Sequence, residues 1–375
     1  MTNATMLSAS TRSTEPVAHA LPPIATVHGG PDALGVPRYD FSTNSNACGP
    51  CPQALAAVTA CDATRYPDPH YTGLRHQLAA FHEVEPWRVV LAGSASEFIY
   101  RITAWVAQQG AAAGRKRGAA LLRTVRVPVH AYGDYAQAAR AWGLSVVTQG
   151  SAGLQWHTDP SSPLGQSVQV DGDSTDAPVH VLDCAYEPLR LSGSTVWSDA
   201  QRHTLWQLWT PNKALGLTGV RAAYAIAPLH AEAAVGALNS LCPSWPVGAQ
   251  GVALLSTWVQ PDVQTWLAQS RVTLRTWKTR QINLCEKLGW VCLPSDANYY
   301  VARPLEGGLE GSQAHTPAEP LTTALASLRS QGIKLRDATS FGLPGHVRVG
   351  VQPPVAQDAL TRAWQSLEWV EKDSV

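Results

Sequence analysis

The chain has 375 residues, a formal net charge of +0 and 45% hydrophobic residues. That length allows a large buried core shared between two domains, and the neutral balance excludes the basic face that a nucleic-acid binder needs. No apolar run approaches the roughly 20 residues of a membrane span, and "MTNATMLSASTRSTEPVAHALPP" lacks the charged start and apolar stretch of a signal peptide. The expected setting is cytoplasmic, with a disordered tail over residues 1–25.

"DFSTNSNACGPC" (40–51) reads as a polar turn, with a helix opening near Pro52. "CGPC" is also the thioredoxin redox tetrapeptide, but that chemistry needs a strand directly before it and a helix starting at the first cysteine. The other cysteines, at 61, 184, 242, 285 and 292, are scattered. They fit reduced thiols, and no second Cys/His pair stands at metal-ligand spacing. From 52 to 255, short apolar runs alternate with helical periodicity. "RVVLAG" (88–93) predicts a strand and "SASEFIYRITAWVAQ" (94–108) the helix behind it. "GAALLRTVRV", "LSVVTQ", "PVHVLD", "TLWQLW" and "RAAYAIA" are further strands, and "DYAQAARAWG" is a helix. Strands interleaved with helices imply an α/β domain, its mostly parallel sheet covered on both faces.

The remainder, 256–375, predicts a smaller α+β domain. It opens with a long amphipathic helix over 261–290, followed by the strand "NYYVARP" and the linker "LEGGLEGSQAHTPAEP". The helix "LTTALASLRSQG", the strands "IKLRDAT" and "HVRVGV", and a helix from Val355 complete it.

Lys213 stands alone in the apolar, glycine-punctuated stretch "LWTPNKALGLTGVR". An amine in an apolar pocket loses proton affinity and becomes a nucleophile toward carbonyls; a stem packed inside with the ammonium reaching solvent is the plainer alternative. Its neighbours favour the first. Asp183 ends the apolar strand "PVHVLD", where ligands of open α/β sheets bind, and Tyr186 follows it. Asp183 suits a protonated ring nitrogen, or a cap on the next turn. The turn "LAGSASEF" offers the free amides of Ser94, Ala95 and Ser96 at a helix start to an anion, and Thr210 and Arg221 can join them. A carbonyl-reactive amine, a ring-nitrogen acid, a phenol and a phosphate cradle together are what pyridoxal phosphate requires.

The spacing of Thr210, Lys213 and Arg221 around "GLTGVR" resembles the lysine segment of the class I/II aminotransferases, pyridoxal-phosphate fold type I. The resemblance runs from about His28 to the C-terminus and implies a mostly parallel seven-stranded sheet in the large domain (52–255). It also implies an arm over 26–51 lying on the small domain and the active site. Carried over residue by residue, Lys213, Asp183 and Tyr186 are catalytic, and Tyr132 in "VPVHAYGDYAQAARAWG" stacks on the cofactor ring. Ser94, Ala95, Ser96, Thr210 and Arg221 hold the phosphate. "RYPDPHYTGLRHQLA" sends Tyr66 to the phosphate of a second subunit, so a homodimer is implied. Asn298 in "DANYYVARP" and Arg348 in "HVRVGV" are substrate-binding, Arg348 as the carboxylate clamp, and Arg336 is the candidate for a distal substrate phosphate.

Two branches share these motifs. "HGG" (28–30), with His28 and Gly29, followed by "YDFSTNSNACGP" is similar to the opening of threonine-phosphate decarboxylases of cobalamin biosynthesis. That reading is placed first, with an aminotransferase acting on histidinol phosphate or a related amino acid second and a non-catalytic protein of the same fold third. The chain departs from the family at "DPSSPLG" (159–165), where Ser162 replaces the asparagine that bonds the cofactor's ring oxygen, and at Asn212, which replaces a Ser/Thr before the lysine.

Overall fold

The structure is a computed structural model that describes residues 28–113, 123–167, 178–304 and 318–367. The expected tail over 1–25, most of the expected linker and the first residues of "GAALLRTVRV" lie outside the described residues.

Seven strands form the large sheet: β2 (Val89–Ala92), β3 (Thr124–Arg126), β4 (Ser145–Val147), β5 (Leu154–Thr158), β6 (Val179–Asp183), β7 (Trp206–Trp209) and β8 (Ala223–Ile226). Their spatial order is β2-β8-β7-β6-β5-β3-β4. Every pairing is parallel except those of β8, which runs antiparallel to both β2 and β7. Burial on both faces explains the near-continuous apolar runs of β2, β7 and β8. Successive residues of one strand enter opposite cores: Val90 and Val181 pack on one side, Leu91 and Leu182 on the other.

The sequence reading missed β5. Its run "LQWHT" carries three polar or titratable side chains, so no apolar stretch announces it. One of them, His157, finds its partner across the strands, its Nε2 3.1 Å from His180 Nδ1 on the neighbouring β6.

The smaller part contains β9 (Val291–Cys292), β10 (Tyr299–Arg303), β11 (Ile333–Lys334), β12 (Arg336–Asp337) and β13 (Val347–Gly350). Four of them make an antiparallel sheet in the order β12-β13-β10-β9. The expected single strand "IKLRDAT" is in fact two. β11 leaves that sheet and pairs in parallel with β1 (Tyr39–Asp40), which arrives from the N-terminal arm. Phe41 follows β1 into the core of this part, fully buried with Tyr300, Leu328 and Val349. The 261–290 prediction is matched by one helix, Pro261–Lys287.

Candidate active site

The carboxyl end of β6 presents Asp183, which is buried. One carboxylate oxygen accepts from the Tyr135 hydroxyl at 2.6 Å and the other from the Ala185 amide at 2.9 Å. Burial pushes its pKa up; the Tyr135 bond, the Lys213 charge and the Ala185 amide oppose that shift. Lys213 lies on the short helix Pro211–Ala214 directly after β7. Its Nζ donates to Thr210 Oγ1 at 3.1 Å and stands 5.4 Å from the centre of the Tyr186 ring. Tyr186 meets the Tyr299 ring edge-on, centroids 4.7 Å apart.

The turn after β2 forms as predicted. Ser94 Oγ caps the Glu97 amide at 3.1 Å while Glu97 accepts from the Gly93 amide at 3.2 Å, which starts the helix Ala95–Ala113. The first helical amides, those of Ala95 and Ser96, have no intrahelical acceptor. A Cβ at Gly93 would sit 2.8 Å from the Pro246 carbonyl oxygen, so only glycine fits that close approach. Ser96 Oγ lies 3.3 Å from the Tyr132 hydroxyl, and burial pushes the Tyr132 phenol pKa well up. Tyr132 is also edge-on to Tyr135, one helical turn on.

Arg348 on β13 and Arg336 on β12 are directly paired in register and both buried. Both guanidiniums lie over the Phe341 ring, at 5.3 and 4.8 Å. Arg348 Nη2 donates to the Ser42 carbonyl at 3.0 Å, whereas its buried Nε has no partner among the described residues. Arg336 donates to the Asp337 carbonyl at 2.5 Å and to Ser340 Oγ at 2.7 Å. Burial and the neighbouring Arg348 lower its pKa to about 10. Asn298 Nδ2 donates to the Ser45 carbonyl at 3.0 Å, and its Oδ1 is buried without a partner among the described residues.

The arm closes one side. Its Gly29 passes so near Ser42 that a Cβ would be 2.2 Å from that carbonyl oxygen, and this brings the His28 ring to 6.5 Å from Tyr132. The loop 159–165 is fixed by Asp159, buried, which accepts from Arg190 at 2.5 Å and from Thr195 Oγ1 at 2.7 Å. Ser162 on this loop is buried, and the carbonyl of the preceding Ser161 accepts from the Tyr299 phenol at 2.7 Å.

Two predicted residues show no bond to this cluster among the described residues. Arg221 is exposed and shows no partner among the described residues. Tyr66, 77% exposed, stacks on Trp245 of its own chain with centroids 4.3 Å apart. Four residues were missed: Tyr135 on Asp183, Tyr299 against Tyr186, Asn44 with its Nδ2 3.5 Å from the Tyr186 hydroxyl, and Asn46, whose Nδ2 donates to the Ala214 carbonyl at 2.9 Å. Only Tyr135 left a readable signal, since it follows Tyr132 by three positions on one helix face.

The CGPC cysteines do not resemble a redox pair. Cys51 precedes the helix Pro52–Ala60 as its cap, and burial pushes the thiol pKa of both Cys48 and Cys51 up, opposite to a reactive dithiol. Among the described residues no cluster of three His, Cys, Asp or Glu is placed to hold a metal ion, and no helix is long and apolar enough to cross a membrane.

A family described as "Aminotransferase class I and II" matches residues 180–367. The chain is similar to histidinol-phosphate aminotransferase 2 of Burkholderia mallei, 25% identical over 366 residues that cover 91% of this chain and 95% of the relative. Its fold is similar to that of histidinol-phosphate aminotransferase from Sinorhizobium meliloti, solved in complex with pyridoxal 5'-phosphate, with TM-score 0.73, 18% identity and coverage of 92% and 96%. L-threonine-O-3-phosphate decarboxylase from Porphyromonas gingivalis also shares the fold, with TM-score 0.68, 18% identity and coverage of 87% and 98%.

Proposed function

This chain belongs to the class I and II aminotransferase family, and we propose that it is a pyridoxal-phosphate enzyme acting on a small amino substrate that carries a phosphate. The observation that carries the reading is the joint placement of Lys213 and a buried Asp183 whose two oxygens already hold one donor each. When bound, pyridoxal phosphate supplies an aldehyde for amines and a protonated ring that accepts the electrons of a breaking Cα bond.

The residues present fit that group. Lys213 supplies the amine, and Thr210 holds its Nζ at the mouth of the short helix. Burial pushes the Asp183 pKa up while Tyr135, Lys213 and Ala185 oppose that shift, and a ring nitrogen set against this carboxyl would share its proton with it. The free amides of Ala95 and Ser96, with the Ser94 and Ser96 hydroxyls, offer an anion site at a helix start. Tyr132 borders that site and supplies a ring face, Tyr186 a phenol, and Arg221 has its guanidinium free to add to the phosphate. Lys213 then also moves the proton at Cα.

The substrate side is cationic. Arg348 has an open Nε for a carboxylate, and Arg336 beside it suits a distal phosphate, with His28 and Gly29 of the arm lining the approach and Asn298 fixing its far end. Two reactions fit this wall: threonine phosphate would set its carboxylate and phosphate on the two arginines, while in amino transfer histidinol phosphate, which has no carboxylate, would set its phosphate there and the oxo acid its carboxylate. Amino transfer on histidinol phosphate or a related substrate is supported by the curated relatives. Decarboxylation of threonine phosphate is supported by the tight Gly29 turn under "HGG" and by one structural neighbour. We place amino transfer first, because the relatives match nearly the whole chain.

A homodimer is part of this reading. The exposed Tyr66 hydroxyl has no partner among the described residues and is available to a second copy.

Adding pyridoxal phosphate to the purified protein should give a visible absorption band that Lys213→Ala abolishes. A colourless wild type would overturn the enzyme reading. Incubation with histidinol phosphate plus an oxo acid should form a new amino acid; CO2 release from threonine phosphate without amino transfer would reverse the order of the two reactions.

A further inference from the structure

The arm reaches the lysine turn by a chain of directed hydrogen bonds. Asp40 accepts from the Ser42 amide at 2.8 Å, the Thr43 amide at 3.2 Å and Thr43 Oγ1 at 2.6 Å, which turns the chain after β1. Asn46 then donates from its amide to the Lys213 carbonyl and from Nδ2 to the Ala214 carbonyl, each at 2.9 Å. Asn298 holds the carbonyl of Ser45 at 3.0 Å and that of Asn44 at 3.5 Å from the other side. Between these anchors Asn44 is 3% exposed, and its Nδ2 stands 3.5 Å from the Tyr186 hydroxyl, at the long end of hydrogen-bonding range. Its Oδ1 is buried with no partner among the described residues. A buried carboxamide left half-satisfied costs free energy, so its place beside Tyr186 calls for an explanation.

Ser162 does not reach for that phenol in the same way. Its side chain shows no hydrogen bond to the Tyr186 hydroxyl, and the Tyr299 phenol donates to the neighbouring Ser161 carbonyl at 2.7 Å. The loop 159–165 is thereby tied to Tyr299, and the carboxamide nearest the Tyr186 hydroxyl comes from the arm.

We infer that Asn44 is a positioning residue of the active site: its Nδ2–H donates to the Tyr186 hydroxyl and polarises that O–H toward the ring oxygen of the bound cofactor. The inference rests on the pyridoxal-phosphate reading above. A donor that is itself a hydrogen-bond acceptor is strengthened by the bond it accepts. A stronger donor at an anionic ring oxygen stabilises that charge and lowers the proton affinity of the conjugated nitrogen.

The test is a pH titration of the visible band in the holoenzyme, read without any substrate. Asn44→Leu keeps the side-chain bulk and removes the N–H; it should raise the midpoint by about half to one pH unit. On a Tyr186→Phe background the same change should add nothing, because the bond it acts through is gone. If Asn44→Leu does not fold, Asn44→Asp keeps the shape, lacks the N–H, and should shift the midpoint in the same direction. An unmoved midpoint, with Tyr186→Phe alone shifting it, overturns the inference. So does an equal shift on both backgrounds, which would assign Asn44 to the arm alone. A wild type with no visible band would instead remove the function reading on which the inference stands.

Discussion

Asp183 and Arg348 are equally buried, each 8% exposed, yet the protein treats their charges in opposite ways. Asp183, at the end of β6, has a hydroxyl and an amide on its two oxygens and a lysine close enough to lower its pKa. Arg348, on β13, has one backbone acceptor, an unpartnered Nε, and another arginine as its register partner. An ion completed by its own chain is fixed before anything binds; an ion left short of acceptors is a site for something that arrives. On the proposed reading, the β6 wall would serve a resident group and the β13 wall a passing anion.

Asp183→Asn strikes the completed wall. It should lower kcat by on the order of a thousandfold, with KM moving much less, while the melting temperature holds or rises because a buried charge is gone. Steady-state kinetics and thermal melts check both halves, and a large KM effect with unchanged kcat would break the contrast. Arg348→Met strikes the open wall. Here KM for the carboxylate-bearing substrate should rise by about a hundredfold, with a smaller change in kcat. The protein without substrate should be no less stable.

A subtler probe is Tyr135→Phe, which removes one of the two protein donors to Asp183. The carboxyl pKa should climb further and kcat fall by about tenfold, most strongly at the acid side of the pH profile. An unchanged profile would mean that the Ala185 amide and Lys213 suffice.

The last probe lies away from both walls. Burial holds the pKa of His157 down at about 3 and that of His82 at about 4, below the ordinary 6.5. Each is neutral when folded and takes up a proton more readily when unfolded. Their stabilisation is thus present above the unfolded value and lost as pH falls from about 6.5 toward 3–4, at roughly 1 kcal/mol per pH unit per histidine. Melts of the cofactor-free protein from pH 7 to 4 should show this slope, and His157→Gln should flatten it.

The β6 wall was more legible in the sequence than the β13 wall, for a physical reason. Asp183, Lys213 and the Ser94 turn each sit where one element hands over to the next, so strand period, cap and helix start are all within a few residues. β5 was invisible because Gln155, His157 and Thr158 interrupt any apolar run, although Gln155 and Thr158 are buried and His157 is half-buried against His180 of the next strand. The break of "IKLRDAT" at Leu335 depends on β1, a segment from the other end of the chain that no local pattern announces. Asn44 was unreadable for the same reason, since its meaning comes from Tyr186 and Asn298.

The arm over 39–46 is tied at one end to β11 and at the other to the carbonyls of Lys213 and Ala214. Trimming or fusing the protein within that stretch would remove anchors of the Lys213 turn rather than a tail. By the same logic, a shuffled hybrid of two such proteins should inherit its N-terminal arm and its lysine segment from one parent.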